Sequence, residues 1–356
     1  MNRVREAIAD LAPGYFAAVM GTGIVSIGLH DLGIHSFSVV LMWLAGALYV
    51  VLWALYLWRA IAFGQNVVAD LRDPEKAFAF FTVVAASGVL GVRFAREELM
   101  ALAVPLFLLA GVIWVVFGYL LPWQVLMTRD GRPILARANG TWFIWAVASQ
   151  SLAISMTQLH PPAGSEMAIW VGVLAVLAWS VGVVLYAAIA MLVLLRVVHY
   201  GVTPQQFDPA YWVAMGALAI AVVAGASIVG MPQTPIVDAV RPLIAATVVI
   251  FWVFCLWLIP LLVGAGVWRH GVHRVPLRYV PTLWSMVFPI GMFAVASESL
   301  ARADRLPAAG AVGRVGLVIA VIVWAVVFVA MLHHAGRTVW PSRRAPSLSS
   351  RAGPSA

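Results

Sequence analysis

The sequence predicts an all-α membrane protein with ten transmembrane helices. Hydrophobic residues make up 63% of the 356 residues and charged residues only 10%, with a mean hydropathy of +0.98, whereas a soluble domain carries about 25% charged residues. A bilayer crossing needs about 20 apolar residues, and barrel strands would alternate apolar and polar positions. The composition therefore excludes a soluble enzyme, a disordered scaffold and a nucleic-acid-binding protein.

Ten stretches of at least sixteen residues lack Asp, Glu, Lys and Arg, and each is predicted to cross the membrane. The shortest, 77–92, suffices if Lys76 and Arg93 at its ends extend towards the interface. Residues 1–10 are then a short N-terminus, 11–336 the membrane domain, and 337–356, rich in Ser, Pro and Arg, a disordered tail. The predicted spans are 11–30, 32–58, 77–92, 99–128, 138–165, 167–195, 209–237, 242–268, 279–297 and 315–336.

The distribution of Lys and Arg predicts the orientation. With the N-terminus inside, sixteen of the 22 basic residues lie on inner segments and six on outer segments, a clear positive-inside bias. Both termini are therefore predicted to be cytoplasmic, in a bacterial-type plasma (inner) membrane. The same bias explains the net charge of +8 without a nucleic-acid partner.

The ten spans differ in an alternating way. Odd-numbered spans hold most of the Ser and Thr residues and most of the glycines and prolines that break helices, while even-numbered spans are richer in Val, Leu and Trp. Since a hydroxyl gains little from lipid, we interpret the pattern as five two-helix repeats, with odd helices around a central pore and even helices outside. The alternative is that small residues let helices pack closely. The predicted pore-lining residues are Gly21, Thr22, Gly23, Ser26, Thr82, Ser87, Gly88, Ser149, Gln150, Ser227 and Ser285.

The odd spans are nearly free of ionisable groups, and this predicts the cargo. A cation channel normally needs a ring of acidic residues, whereas hydroxyls, amides and helix N-termini suit an anion. Arg93, Arg96 and Arg241 near the outer mouth would concentrate anions, or would serve as interfacial anchors. Glu298 is the candidate coupling residue if transport is driven by protons, although its place near the outer rim is a poor one for a relay.

Four stretches together resemble the tellurite-resistance/C4-dicarboxylate transporter family, which includes malate carriers, fungal sulfite pumps and the plant slow anion channels. They occur in the expected order on the ten predicted helices, and the resemblance covers about residues 11–335. The stretches begin with Pro13-Gly-Tyr-Phe-Ala-Ala-Val-Met-Gly-Thr-Gly, Asp70-Leu-Arg-Asp-Pro, Asn139-Gly-Thr-Trp and Trp284-Ser-Met-Val-Phe-Pro-Ile-Gly-Met.

The resemblance implies a homotrimer in which each protomer has its own pore, lined by the five odd helices and closed by a phenylalanine of the ninth helix. Phe288 falls at that position, and without the resemblance a packed core phenylalanine would be favoured. Pro289 removes a helical N–H and, with Gly291, predicts a kink beside the gate.

We therefore predict an anion channel or facilitator for small anions such as malate, sulfite, tellurite, chloride or nitrate, with a proton-coupled C4-dicarboxylate symporter as the alternative. A non-transporting membrane subunit is the second alternative, and the hydroxyl pattern argues against it. No nucleophile–base pair supports an enzyme. Cofactors and metal sites are not expected, because the single cysteine and the His333–His334 and His270–His273 pairs lack suitable partner ligands.

Overall fold

The computed structural model describes residues 2–127, 133–159, 161–162, 164–304 and 307–339, and these residues form helices and turns without a strand. The all-α prediction is confirmed. The helices are α1 (Asn2–Ala9), α2 (Ala17–Asp31), α3 (His35–Ala62), α4 (Gly64–Arg72), α5 (Thr82–Ala95), α6 (Met100–Met127), α7 (Phe143–Thr157), α8 (Glu166–Tyr200), α9 (Val213–Val229), α10 (Pro235–Val267), α11 (Trp284–Asp304) and α12 (Pro307–Val339).

Ten of these helices form five consecutive hairpins: α2–α3, α5–α6, α7–α8, α9–α10 and α11–α12. The first helix of each hairpin packs against the first helix of the next, and α11 packs back against α2. The five first helices therefore form a closed inner ring. The five second helices form an outer layer, and each also contacts the inner helix of a neighbouring hairpin.

Burial separates the two layers as the alternation in the sequence predicts. Within its most apolar window, the inner segment Ala77–Ala95 is 94% buried, whereas the outer segment Met100–Val125 is 17% buried. An apolar helix that leaves most of its surface uncovered needs lipid as its solvent. The inner helices are apolar but enclosed by protein, so their composition reflects packing as well as the bilayer.

A 3₁₀ turn precedes each inner helix and leads the chain into it. Three of these turns begin with a proline, whose fixed backbone angle and missing N–H suit the first position of a helix. The turns span Pro13–Phe16, Ala77–Phe81, Gly140–Trp142, Pro209–Trp212 and Pro281–Leu283. Each two-helix hairpin returns the chain to the end of the ring where that hairpin began. All five inner helices therefore start at the same end of the ring.

By length and composition, eight helices of the described chain can cross a membrane, and the bent pair Arg3–Ala9 and Pro13–Asp31 gives a ninth. The tenth, α7, has only 15 residues but occupies an equivalent place in the ring. Several outer helices run past the charge-free stretches: α8 includes Arg196, and α10 includes Asp238 and Arg241. Charged residues therefore do not mark the ends of these helices.

Two further sequence predictions, for the C-terminal tail and for Arg93, can be compared with the structure. Residues 337–339 continue α12, and the rest of the predicted disordered tail lies outside the described residues. Arg93, which was expected to extend towards the interface, has a side chain that is 0% exposed. Arg93 is held inside by polar groups of α2 and α3, as described below.

Candidate functional site

A hollow of about 850 Å³ lies at the end where the inner helices begin. We call it the vestibule. The first turns of all five inner segments contribute to its wall, and the connecting loops complete it. One residue from each inner segment is Gly14, Thr82, Ile144, Tyr211 and Ser285.

Most charges in the vestibule wall are paired. The Arg59 guanidinium donates to Asp70 Oδ2 at 2.6 Å, and Lys76 Nζ donates to Asp70 Oδ1 at 2.8 Å. Arg137 donates to Asp73 Oδ1 at 2.5 Å. These pairs fix the loops around the vestibule, and the single carboxylate of Asp70 is shared by Arg59 and Lys76.

Asp208 is a half-buried acid in the same wall. One carboxylate oxygen accepts the backbone N–H of Ala210 at 3.0 Å, which caps the turn that leads into α9. Burial raises the pKa of Asp208 above its ordinary value, and the hydrogen bond from Ala210 opposes that effect. The position of Asp208 is therefore explained by helix capping.

A second, much smaller hollow of about 20 Å³ lies further along the ring. We call it the outer hollow. It has space for about one water molecule, and its wall is almost entirely aliphatic. All five inner helices line it, with Ile24, Ile27, Gly88, Val89, Val92, Arg96, Ser151, Ile154, Ile220, Val223, Met292 and Val295.

Phe288 is 1% exposed and lies on the face of α11 that connects the two hollows. Ser285 lines the vestibule, and Met292 and Val295 line the outer hollow. Ser285, Phe288, Met292 and Val295 follow one another at intervals of three, four and three residues. On a helix of 3.6 residues per turn, this spacing keeps all four side chains within roughly 80° of one another around the helix axis. Phe288 therefore occupies the level between the hollows, which share no lining residue.

The other inner helices repeat this register, and two of the four carry small residues at the Phe288 level. Between their vestibule and outer-hollow positions, α5 has Ala85, α7 has Val147 and α9 has Gly216, while α2 has Met20. All are buried. By this register, Phe288 lies at the level of small residues on α5 and α9 and of larger aliphatic residues on α2 and α7.

Several of the hydroxyls predicted to line the pore form hydrogen bonds with side chains of the outer layer. Thr22 Oγ1 accepts a hydrogen bond from the Trp324 indole of α12 at 3.0 Å. Ser149 Oγ accepts one from the Trp114 indole of α6 at 2.9 Å. Both hydroxyls also donate to a carbonyl of their own helix. Each therefore donates one hydrogen bond within the inner layer and accepts one from the outer layer.

Ser87 follows the same rule, while Gln150 reaches the outer layer through a backbone carbonyl. The Ser87 hydroxyl lies 2.7 Å from the Tyr49 hydroxyl of α3, and Gln150 Nε2 donates to the Trp179 carbonyl of α8 at 3.1 Å. A buried indole or phenol needs a polar partner, and the inner helix supplies it. Thr22, Ser87 and Ser149 are therefore accounted for by hydrogen bonds with aromatic residues of the outer layer.

Ser26 belongs to a buried cluster around Arg93. The Arg93 guanidinium donates to Ser26 Oγ and Ser38 Oγ, each at 2.8 Å, and to the Glu97 carboxylate at 2.7 Å. The cluster ties α2, α3 and α5 together. The hydrogen bond from Arg93 lowers the pKa of Glu97 below its ordinary value, and the Ser26 hydroxyl is engaged within this cluster.

Two predicted pore-lining glycines are contact points within the ring, as the alternative interpretation of small residues anticipated. An added Cβ at Gly21 would come 3.0 Å from Trp284 and Val287 of α11, and one at Gly23 would come 2.8 Å from Val89 of α5. Both glycines let neighbouring inner helices approach closely.

The remaining predicted pore residues lie in three places. Thr82 and Ser285 line the vestibule, and Gly88 lines the outer hollow, where it packs against Ser151. Ser227 is half-buried near the end of α9 and lines neither hollow. The aliphatic wall of the outer hollow was missed because Ile and Val at these positions resemble any packed core.

The arginines at the far end are compensated by acids. Asp31 accepts hydrogen bonds from Arg96 and from Arg302, the latter at 3.0 Å, and Arg241 pairs with Asp238 at 2.8 Å. Of these residues only Arg96 lines the outer hollow. Because these arginines form local ion pairs, the structure favours a role as interfacial anchors over a role in attracting anions to the outer mouth.

Pro289, Gly291 and Glu298 also have defined neighbours. Pro289 lies inside the continuous helix α11 and packs on Gly216 of α9, while Gly291 packs on Ile24 of α2. The Glu298 side chain lies against Gly313 of α12, so it faces the outer layer.

The comparison with known families agrees with this architecture. The sequence profile of the voltage-dependent anion channel family matches residues 10–332. The chain belongs to this family. The resemblance found in the sequence is confirmed, and the voltage-dependent anion channel family is a family of transporters and channels rather than of enzymes.

Individual relatives are known mainly as membrane proteins. An uncharacterized membrane protein of Mycobacterium tuberculosis is 48% identical over 160 residues, which cover 45% of this chain and 81% of that protein. Two uncharacterized transporters of Methanocaldococcus jannaschii are 25% and 23% identical, over 82% and 83% of this chain and 84% and 86% of their own lengths.

Proposed function

We propose that this protein is an anion channel that conducts small anions along the axis of the inner ring, with Phe288 as the gate. The vestibule is the proposed cytoplasmic entrance, because the positive-inside bias places that end of the ring in the cytoplasm. The proposed cargo is a small inorganic anion or a C4-dicarboxylate. The proposed setting is the plasma membrane, with each protomer of a homotrimer holding its own pathway.

The direction of the inner helices supports an anionic cargo. All five start at the vestibule, so the partial positive charges of their N-termini face the same hollow. The dipoles of five parallel helices around one axis add together, whereas the dipoles of neighbouring helices in an antiparallel bundle would cancel. An anion that enters the vestibule meets a favourable potential, and a cation meets an unfavourable one.

The observation that carries the proposal is the position of Phe288 between the two hollows. A buried aromatic ring on the axial face of α11 would block water and ions together. Beyond it, the wall is aliphatic and offers few groups that could hold an ion. A pathway with one narrow aromatic barrier and weak binding elsewhere is typical of a channel rather than of a carrier with a deep binding site.

The test is ion selectivity in planar bilayers or liposomes. With opposing gradients of potassium nitrate, the reversal potential is expected to follow the nitrate gradient, because the helix N-termini favour anions. Substituting chloride, sulfite and malate for nitrate then ranks the cargo. A reversal potential that follows potassium, or no flux with Phe288 intact and with Phe288 removed, contradicts the proposal and favours a non-transporting membrane subunit.

The symporter alternative rests on one observation, a Glu298 carboxylate oxygen that is buried without a hydrogen-bond partner among the described residues. Its nearest cation is Arg314, at 4.0 Å. Because Glu298 faces α12 rather than the axis, we expect Glu298→Gln, which keeps the shape, to leave anion flux and its pH dependence unchanged within about twofold. Loss of proton-driven malate uptake in this variant would instead establish the symporter.

A further inference from the structure

We propose that Arg196, with the Tyr211 hydroxyl, forms a binding site for the conducted anion in the wall of the vestibule. The inference rests on the proposed function for the identity of its ligand. The ligand class is a small anion with acceptor oxygens, such as nitrate, sulfite or a carboxylate.

Arg196 is unlike the other buried arginines of this protein. The residue is 6% exposed, and its guanidinium donates to the Tyr211 hydroxyl at 3.0 Å and to the Ala136 carbonyl at 3.5 Å. Both partners are neutral. In the described part of the chain no carboxylate lies within 4 Å of Arg196, whereas Arg59 and Arg93 each have one.

A buried cation without a counter-charge is unfavourable, because taking a charge out of water costs several kcal/mol unless an opposite charge compensates. The guanidinium and both of its partners line the vestibule. Asp208 lines it too but makes no ion pair with Arg196, and its oxygen accepts from Ala210. An anion inside the vestibule would therefore supply the charge that the protein omits.

The hydrogen-bonding groups at Arg196 suit an oxyanion. A guanidinium presents several donors in a planar fork that matches two oxygens of one anion. Because the Tyr211 oxygen accepts from Arg196, its own hydrogen is free to be donated to the same ligand. Tyr211 lies in the turn before α9, so a bound anion would wait beside the start of the inner ring, on the vestibule side of Phe288.

The first experiment measures binding without transport. Thermal unfolding of the purified full-length protein is followed as sodium nitrate replaces sodium gluconate at constant ionic strength. We expect nitrate to stabilise the wild type, and Arg196→Gln to raise the half-saturating nitrate concentration about tenfold or more, since a hydrogen bond to a charged group is lost. Lys76→Gln removes the same charge from the vestibule, but Lys76 is paired with Asp70, so this control is expected to keep the wild-type response.

The second experiment places the same variants in the Phe288→Ala background and measures nitrate current against cytoplasmic nitrate. Arg196→Gln is expected to shift saturation to higher concentration by a similar factor. If Arg196→Gln does not fold, two milder variants replace it. Tyr211→Phe removes only the hydroxyl, and Arg196→Lys keeps the charge but removes the planar set of guanidinium donors. Each is expected to weaken the response to nitrate several-fold.

Three results separate the two proposals. Equal nitrate responses in the Arg196 variants, Tyr211→Phe and the Lys76→Gln control overturn the binding site. A wild type that nitrate does not stabilise overturns it as well. Nitrate stabilisation that depends on Arg196, together with no current even after Phe288→Ala, supports the site and overturns the channel.

Discussion

Replacing Phe288 with alanine is expected to raise anion current by about tenfold or more, which corresponds to removing at least about 1.4 kcal/mol of barrier. The phenyl ring stands between the vestibule and the outer hollow, and the residues at its level on α5 and α9 are Ala85 and Gly216. Truncation would join the two hollows and admit water. The measurement is macroscopic nitrate current in bilayers, normalised to the amount of reconstituted protein.

Phe293 provides a matched control on the same helix. It is also buried, but five residues further on it lies about 140° around the helix from Phe288. Both Phe→Ala variants are expected to lose about 3–5 kcal/mol of stability through the cavity they leave. Only Phe288→Ala is expected to increase current. Equal currents in the two variants would remove Phe288 as the gate.

Replacing Gly140 with alanine is expected to destabilise the protein by about 3 kcal/mol or more, because it forces backbone apart. Gly140 lies in the turn before α7, and an added Cβ would come 2.3 Å from the carbonyl carbon and oxygen of Ala210. No side-chain rotation relieves that contact. The Asn139-Gly-Thr-Trp motif therefore marks the place where the starts of α7 and α9 touch.

The readout for Gly140→Ala is the unfolding midpoint of detergent-solubilised protein, with the yield of monodisperse protein as a second measure. Gly111→Ala on α6 is the control, because nothing lies within 4 Å of its added Cβ. A helical glycine in open space is expected to gain up to about 1 kcal/mol from alanine. An unchanged midpoint for Gly140→Ala would refute this explanation of the motif.

The sequence predicts the layer of each helix better than the direction of each side chain. Five first helices inside and five second helices outside follow from where polar and apolar residues alternate along the chain. The same polar residues were assigned to the pore, yet Thr22 and Ser149 bond indoles of the outer layer. Whether a hydroxyl faces water or a neighbouring tryptophan depends on the rotation of its helix, and composition does not encode that rotation.

The candidate site was predictable only in part. Phe288 was singled out through the family resemblance of the stretch from Trp284 to Met292, since a buried phenylalanine has no distinctive signal by itself. Arg196 could not be singled out, because its character comes from the absence of a nearby carboxylate in three dimensions. In the sequence it is one more basic residue at the end of a hydrophobic stretch.

The indoles that bond the inner hydroxyls have a consequence for ion dehydration. Because those polar atoms are used between the layers, the channel wall beyond Phe288 has few groups that could replace an ion's shell of water. Under the proposed function, each anion then crosses at a cost set by its own hydration rather than by a fitted coordination site. Weakly hydrated nitrate should pass more readily than chloride, and doubly charged malate least readily.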